Sequence, residues 1–359
     1  MKSTIITLIV LFKIFTISAQ LSGTYQIGAS QTYPFNTLKN AVEQINMVGV
    51  SGPVRFILTD VLYEEDSIEF KTISGTSITN TITLQPGDNI DVEIMGSGGF
   101  IIGIDRTSNL IFNGFSPNGT GSLTITSTES ITSSTVIKST TPVNTNGNMY
   151  NIHIINCTIN AAPPFFPEDQ EPKSFGIEFS STSGNFDTLI FQNNVFTGGD
   201  KSIVMVNSKF KKIEIIDNNF LSSGGLDLGN FGVIDDKIIK IQGNVFTNTN
   251  LGYSLGDLSV INVFVGQELT FTNNVFYGIN YNFTSFKDDC ILFHFNTIKN
   301  AFVFNNQFKN INYNASFNPS IDLGTLVHLF YFSNTENIKF FHNSIYIPYG
   351  NDNAFVLAP

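Results

Sequence analysis

The chain of 359 residues has no tryptophan, two cysteines and only 13 % charged residues. Each scarcity excludes something. Without Trp, every aromatic role falls to 35 Phe and 11 Tyr. Few charges beside many β-branched and aromatic residues favour extended β structure over helix. Two cysteines, Cys157 and Cys290, allow one disulfide at most. Arginine occurs only as Arg55 and Arg106. Positive charge is also short, with 18 Lys and Arg against 29 Asp and Glu, for a net charge of −11. That balance argues against nucleic acid or an anionic membrane as partner. It counts less strongly against a polyanionic sugar, because a local basic cleft can sit on an acidic protein.

The chain opens with Lys2 and then runs apolar from residue 5 to 17, ending in the small pair Ser18-Ala19. This reads as a secretory signal peptide over residues 1–19, cut before Gln20. The run is short for a span of about 20 residues and is broken by Lys13, which disfavours a membrane anchor. No later run is long and apolar enough to span a bilayer. Loss of Lys2 and Lys13 takes the mature net charge from −11 to −13. The expectation is an exported protein, secreted or on the cell surface, without a transmembrane segment.

Seven segments align without gaps: 152–159 (IHIINCTI), 189–196 (LIFQNNVF), 213–220 (IEIIDNNF), 239–246 (IKIQGNVF), 269–276 (LTFTNNVF), 301–308 (AFVFNNQF) and 338–345 (IKFFHNSI). Their first and third positions are apolar and the second is mostly polar, the alternation of a strand with one buried face. The fifth position holds Asn193, Asp217, Gly243, Asn273, Asn305 or His342. These residue types suit a sharp bend with left-handed backbone. The sixth is Asn194, Asn218, Asn244, Asn274, Asn306 or Asn343, with Cys157 in the first segment. The eighth is Phe in five segments and Ile in two. The unit is strand, bend, strand.

The segments recur every 24 to 37 residues. A propeller blade needs about 40 or more, and a leucine-rich repeat shows a Leu lattice at about 20–29. A fixed core with a variable interval fits one coil of a right-handed parallel β-helix, with the variation in outlying loops. Coils stack about 4.8 Å apart. Equivalent Asn side chains then form a ladder of amide hydrogen bonds along the axis, and the Phe column stacks inside. Cys157 and Cys290 fall four to five coils apart, about 20 Å at that repeat, whereas a disulfide needs Cα atoms within about 7 Å. Both are expected as core thiols.

Residues 36–48 carry Leu38, Ala41, Val42, Ile45 and Val48 at helical spacing, with Asn36 as N-cap and Gly49 after the end. This helix is expected to cover the open N-terminal end of the stack. At the other end, the residues following 340–347 lack a polar cap. This is expected of a truncated reading frame or of a last coil that pairs with something else.

The segments SGTYQIG, FNTLKNAVEQINMVGVSGPVRFIL, LYEEDSIEF and GTSITNTITLQPG, within residues 21–86, resemble the opening of secreted pectin-lyase-like β-helix proteins. They most resemble the large surface-destined members from Bacteroidetes-type bacteria. The resemblance implies a right-handed β-helix and export. It implies no single activity, because that family holds lyases, hydrolases, esterases and non-catalytic adhesin-like members.

Candidate chemistry is sparse. Asp288-Asp289, ahead of Cys290, resembles the paired aspartates of polygalacturonase-type hydrolases, in which one carboxylate is the general acid and another positions water. The upstream Asn-x-Asp and the downstream His-Gly and Arg-x-Lys segments of those enzymes have no counterpart here, and His294 is followed by Phe295. A lyase base would have to be Arg or Lys, yet both arginines precede the aligned coils. Tyr63-Glu64 matches an early strand of the esterases, without their later segments. His153, His294, His328 and His342 show no short metal spacing, so neither metal nor cofactor is expected. Phe165 and Phe166, in the Pro-rich stretch 161–172, and Tyr277, Tyr281 and Tyr313 are loop candidates for sugar stacking. Packing onto the helix wall explains them equally well. The first expectation is therefore an exported, non-catalytic β-helix for adhesion or glycan binding, its partner a polysaccharide or cell-surface glycan. The second is an enzyme, a hydrolase more than a lyase, acting on a cell-wall, algal or plant polysaccharide. The third is a structural spacer within a longer surface stalk.

Overall fold

The structure, a computed structural model, describes residues 19–129, 133–141, 148–162, 174–180, 185–206, 209–229, 237–251, 260–283, 290–315, 327–346 and 357–358. The chain winds through three parallel sheets in turn, here called A, B and C. Sheet A runs from Leu21–Ile27 and Val50–Leu58 to Ile338–Phe341, sheet B from Leu62–Glu64 to Ser344–Tyr346, and sheet C from Ile68–Phe70 to Leu357–Ala358. Each strand pairs with its equivalent one coil away. In sheet A, Val54 pairs with Ile82, Ile82 with Leu110, Leu110 with Ile152 and Ile152 with Leu189, all in parallel. The molecule is an all-β parallel β-helix. Two long strands, Ile261–Thr272 and Cys290–Phe304, pass from sheet C into sheet A without a break.

The corner between sheets A and B carries the repeat. At the bend, Asn156, Asn193, Asp217, Gly243, Asn273, Asn305 and His342 all have left-handed backbone, with φ between 54° and 70°. Gly, Asn and Asp adopt this conformation at least cost, which accounts for the fifth position of the repeat. The next residue turns inward and builds the ladder. Asn218 donates from its backbone N and its Nδ2 to Asn244 Oδ1, at 2.9 and 3.0 Å. Its Nδ2 also donates back to Phe191 O at 2.9 Å. Its Oδ1 accepts the same pair of donors from Asn194, at 2.9 and 3.0 Å. Asn244, Asn274 and Asn306 repeat this pattern up to Asn343. From Asn194 to Asn306, every donor and acceptor of a ladder amide is used at a site closed to water. At the lower end Cys157 supplies only its backbone N, which donates to Asn194 Oδ1 at 2.9 Å.

Two residues further on, the side chain enters the core. Phe196, Phe220, Phe246, Phe276 and Phe308 are in register in sheet B and buried. Their neighbouring rings lie 4.3–5.0 Å apart and within 9° of parallel. The coil repeat of about 4.8 Å falls at the stacking distance of aromatic rings, so the geometry that makes the sheet also makes the stack. Such pairs add about 0.5–1.5 kcal/mol each beyond their burial.

The coils begin earlier than the repeat suggested. Register in sheet B continues down through Ile159, Ile125, Ile94 and Tyr63, with Ile and finally Tyr in place of Phe. The Asn signature is lost there because the corners are built differently. Gly114 occupies the bend register, and a β-carbon on it would collide with the Asn156 carbonyl.

Helix α1, Leu38–Val48, buries Leu38, Ala41, Val42, Ile45 and Val48. Its N-cap is Thr37 rather than Asn36: Thr37 Oγ1 accepts from Asn40 N at 3.2 Å, while Asn36 Oδ1 accepts from the Asn40 side chain. The extended backbone of Thr37 (φ −139°, ψ 156°) is what a cap requires. The Glu65 carboxylate accepts from the N–H groups of Leu38 and Lys39 at 2.9 and 2.7 Å, where the helix dipole favours negative charge. The helix packs on Ile68–Phe70, the first strand of sheet C. Asn46 there plays the part of a neighbouring strand, donating to Glu69 O and accepting from Lys71 N. Gly49 ends the helix at φ 74°.

Cys157 is a free thiol, 1 % exposed; the side chain of Cys290 is outside the described residues. Burial pushes the Cys157 thiol up to about 12. Native Cys290→Ser protein should therefore resist thiolate-directed labelling at pH 8 and label readily in denaturant. Rapid labelling of the folded protein would contradict this packing.

Removing the amide of Asn244 strands Asn218 N, Asn218 Nδ2 and Ile215 O inside the wall, at about 1–3 kcal/mol for each unpaired group. In urea melts, Asn244→Ala should cost several times more stability than Asn343→Ala at the rim. Equal losses would contradict a cooperative ladder.

Candidate functional site

The outer face of sheet C carries one polar row that the repeat does not explain. In register, coil after coil, it runs Lys138, Glu178, Val204, Asp227, Asn262, His294, Tyr331. Each member is flanked by inward residues on its own strand, as in Leu226-Asp227-Leu228, Ile261-Asn262-Val263, Phe293-His294-Phe295 and Phe330-Tyr331-Phe332. The buried neighbours fix the strand, and strand alternation then turns the polar side chain outward. A parallel column two residues on adds Phe264, Asn296 and Ser333.

These groups touch. Asn262 Nδ2 donates to Asp227 Oδ1 at 3.3 Å, and Gly229 N donates to the same oxygen at 3.2 Å. His294 Nε2 and Ser333 Oγ share a hydrogen bond of 3.0 Å. The His294 ring packs edge-on against Phe264 and tilted against Tyr331, each at 5.2 Å between centroids. At the start of the row, Lys138 and Glu178 form an ion pair at 3.1 Å, and Thr135 Oγ1 donates to the same carboxylate. Asn262 is only 2 % exposed, and its Oδ1 has no hydrogen-bond partner among the described residues. The row thus combines a carboxylate, an amide, an imidazole and aromatic rings at the spacing of the coils.

Behind it lies Lys237, fully buried, whose amine sits 3.7 Å above the centre of the Phe210 ring and donates to Phe264 O at 3.1 Å. Burial pushes this amine down to about 7.

The residues singled out from sequence fall elsewhere. Asp288 and Asp289 lie outside the described residues, directly before Cys290–Phe304, the strand that bears His294. Phe165 and Phe166 also lie outside them. Tyr277, Tyr281 and Tyr313 are not in loops. They stand in the sheet B strands Val275–Phe283 and Gln307–Ala315, where Tyr281 pairs with Tyr313 and Tyr277 with Lys309. Two adjacent coils both extend here, so each completes the other's hydrogen-bond ladder past the repeat. Tyr277 is exposed on this sheet, away from the sheet C row. Tyr63 is structural: it is buried, donates to Ile27 O at 2.6 Å and accepts from the backbone of Thr59 and Asp60. His153 hydrogen-bonds Asn151 on sheet A, His342 sits at a bend, and the His328 side chain is outside the described residues. Among the described residues no group of three or more His, Cys, Asp or Glu could hold a metal ion, and no helix is long and apolar enough to cross a membrane.

The row was missed because its distance from the Asn bend changes with every loop. The apolar–polar–apolar triplets, such as FHF and FYF, were the available signal.

No family model matches the chain, and no curated protein does. Among solved structures it is similar to the crystal structure of Dettilon tailspike protein (gp208), at 9 % identity and a TM-score of 0.38, over 87 % of this chain and 59 % of that one. The chain therefore spans less than two thirds of the tailspike chain. The β-helix assignment rests on the strand register of this chain itself.

Lys237 binds its proton less tightly in the fold than in the unfolded chain, where the ordinary value is 10.5. The unfolded state holds more protons between those values, so stability rises with pH across that window. The melting temperature of the wild type should climb relative to Lys237→Met between pH 7 and pH 10. A constant difference would show that the amine is solvated.

Proposed function

We propose that this protein is an exported β-helix that binds polysaccharide along the outer face of sheet C. The Asp227–Asn262–His294–Tyr331 row carries this reading. Sugars present hydroxyls around an apolar ring face, and proteins hold them with planar carboxylate and amide groups beside aromatic rings. One such group per coil, repeating at about 4.8 Å, suits a ligand that is itself a linear repeat lying along the axis. Export is supported by the signal-like residues 1–19, and a surface role by the likeness of residues 21–86 to secreted pectin-lyase-like proteins of Bacteroidetes-type bacteria. Binding without turnover, as in an adhesin, is the reading we adopt.

The test is a binding and product-release screen of purified protein on plant, algal and bacterial polysaccharides. A ligand should be found whose affinity falls at least tenfold, about 1.4 kcal/mol, in His294→Ala, with the melting temperature little changed. Unchanged affinity in that variant would move the site elsewhere. Turnover abolished by Asp289→Asn would replace the binding reading with a hydrolase.

A further inference from the structure

We infer that Lys237 is a positioning residue for the row on sheet C: from inside the wall it holds the main chain at Phe264 and so sets the Phe264 ring against His294. The inference rests on the glycan-binding reading above and names a residue that governs the same site without touching the ligand.

Lys237 is fully buried, so no ligand reaches it. A lysine is almost never found in such a place without specific partners. The amine lies 3.7 Å above the centre of the Phe210 ring and donates to Phe264 O at 3.1 Å. Both contacts gain strength away from water. Strand Ile261–Thr272 passes from sheet C into sheet A without a break, and Lys237 grips it at that crossing from two sides. Its amine takes the carbonyl of Phe264, and its own carbonyl accepts from Gln267 N at 2.9 Å and Glu268 N at 3.1 Å. Between them Gly266 runs close to the inner wall, where a β-carbon would come within 3.3 Å of Ile239 and of Ile298. The stretch 264–268 is thus tied to one residue of the coil below. Phe264 cannot shift along the wall without breaking a buried hydrogen bond.

The Phe264 side chain points outward from this clamp. Its ring meets His294 edge-on, at 5.2 Å between centroids and 72° between planes. His294 in turn packs on Tyr331 and shares its hydrogen bond with Ser333. Phe264, His294 and Tyr331 are half-buried and are the rings by which the row would meet an apolar sugar face. A continuous path of contacts therefore runs from the buried amine, through one carbonyl, to the ring surface. A binding constellation is only as well placed as the groups that lock its rotamers. Leu or Met would fill the space of the Lys stem, but neither could hold the Phe264 carbonyl.

The experiment compares wild type, Lys237→Met, Phe264→Leu and the double variant in the full-length mature protein, with thermal melts to establish that each folds. In NMR spectra without ligand, the His294 imidazole resonances, assigned by their loss in His294→Gln, should move in Lys237→Met as the Phe264 ring turns away. Those of His153 and His342 should stay in place. Calorimetric titration with cellohexaose, xylohexaose and mannohexaose, and with any polysaccharide that the wider screen retains, then reads affinity. Lys237→Met should bind the preferred glycan roughly fivefold more weakly, the size expected of a residue that acts on a site from a distance. Phe264→Leu should also bind more weakly, and adding Lys237→Met to it should weaken binding no further, because the amine acts through the ring. A merely structural lysine would leave the His294 resonances unmoved and its effect on affinity independent of Phe264. Lys237→Leu takes the place of the Met variant in every arm if that variant fails to fold. Unmoved His294 resonances, unchanged affinity in Lys237→Met, or full additivity in the double variant each overturns this inference and leaves the glycan reading intact. A wild-type protein that binds none of these probes, and no polysaccharide in the wider screen, overturns both.

Discussion

The side-chain amide of asparagine, placed at one corner of every coil from Asn194 to Asn343, is the interaction on which the rest of this molecule depends. A parallel coil must reverse direction sharply at each corner, and the reversal points backbone groups inward where water cannot reach them. One residue with left-handed backbone makes the bend, and the next supplies an amide with two donors and a two-sided acceptor. That amide joins the backbone N–H and carbonyl of the bend below to the amide of the bend above. Because each amide needs the one above, the corner also dictates register, and register dictates the ring stack two residues on. Sheet, ladder and aromatic column share one repeat distance.

Once register is held at that corner, the remainder of each coil is free to vary. The interval between bends changes from 24 to 37 residues without disturbing the stack. Sheet C, at the far side of each coil from the ladder, is where variation in outward residues costs least. Its inner positions beside the row are Ile, Leu, Val or Phe except at Ser139 and Met205, while its outer row changes from an ion pair to a hydrogen-bonded and aromatic series. The scaffold thus separates the residues that hold the fold from those that can meet a ligand. Lys237 joins the two, its buried amine gripping the carbonyl of Phe264, whose ring contacts His294.

How much of this was legible follows from the same separation. The bend column could be read because left-handed backbone and a buried amide both demand particular residue types at a fixed offset. The earlier coils could not, because their corners lack the signature: Gly114 stands at the bend register without left-handed backbone, and Tyr63, Ile94, Ile125 and Ile159 fill the column that Phe fills later. The buried face of helix α1 followed from its periodicity, while the choice between Asn36 and Thr37 as cap depended on backbone angles that no pattern displays. The row on sheet C stayed hidden for a deeper reason. Asp227, Asn262, His294 and Tyr331 are 32 to 37 residues apart, and loop lengths, not motif spacing, bring them together.

Hydrogen–deuterium exchange with and without a bound oligosaccharide tests the central claim most directly. The account predicts added protection confined to the sheet C strands Gly225–Leu228, Val327–Ser333 and the first halves of Ile261–Thr272 and Cys290–Phe304, with the Asn corner already protected and unchanged. Protection appearing instead on sheet A or sheet B would contradict it.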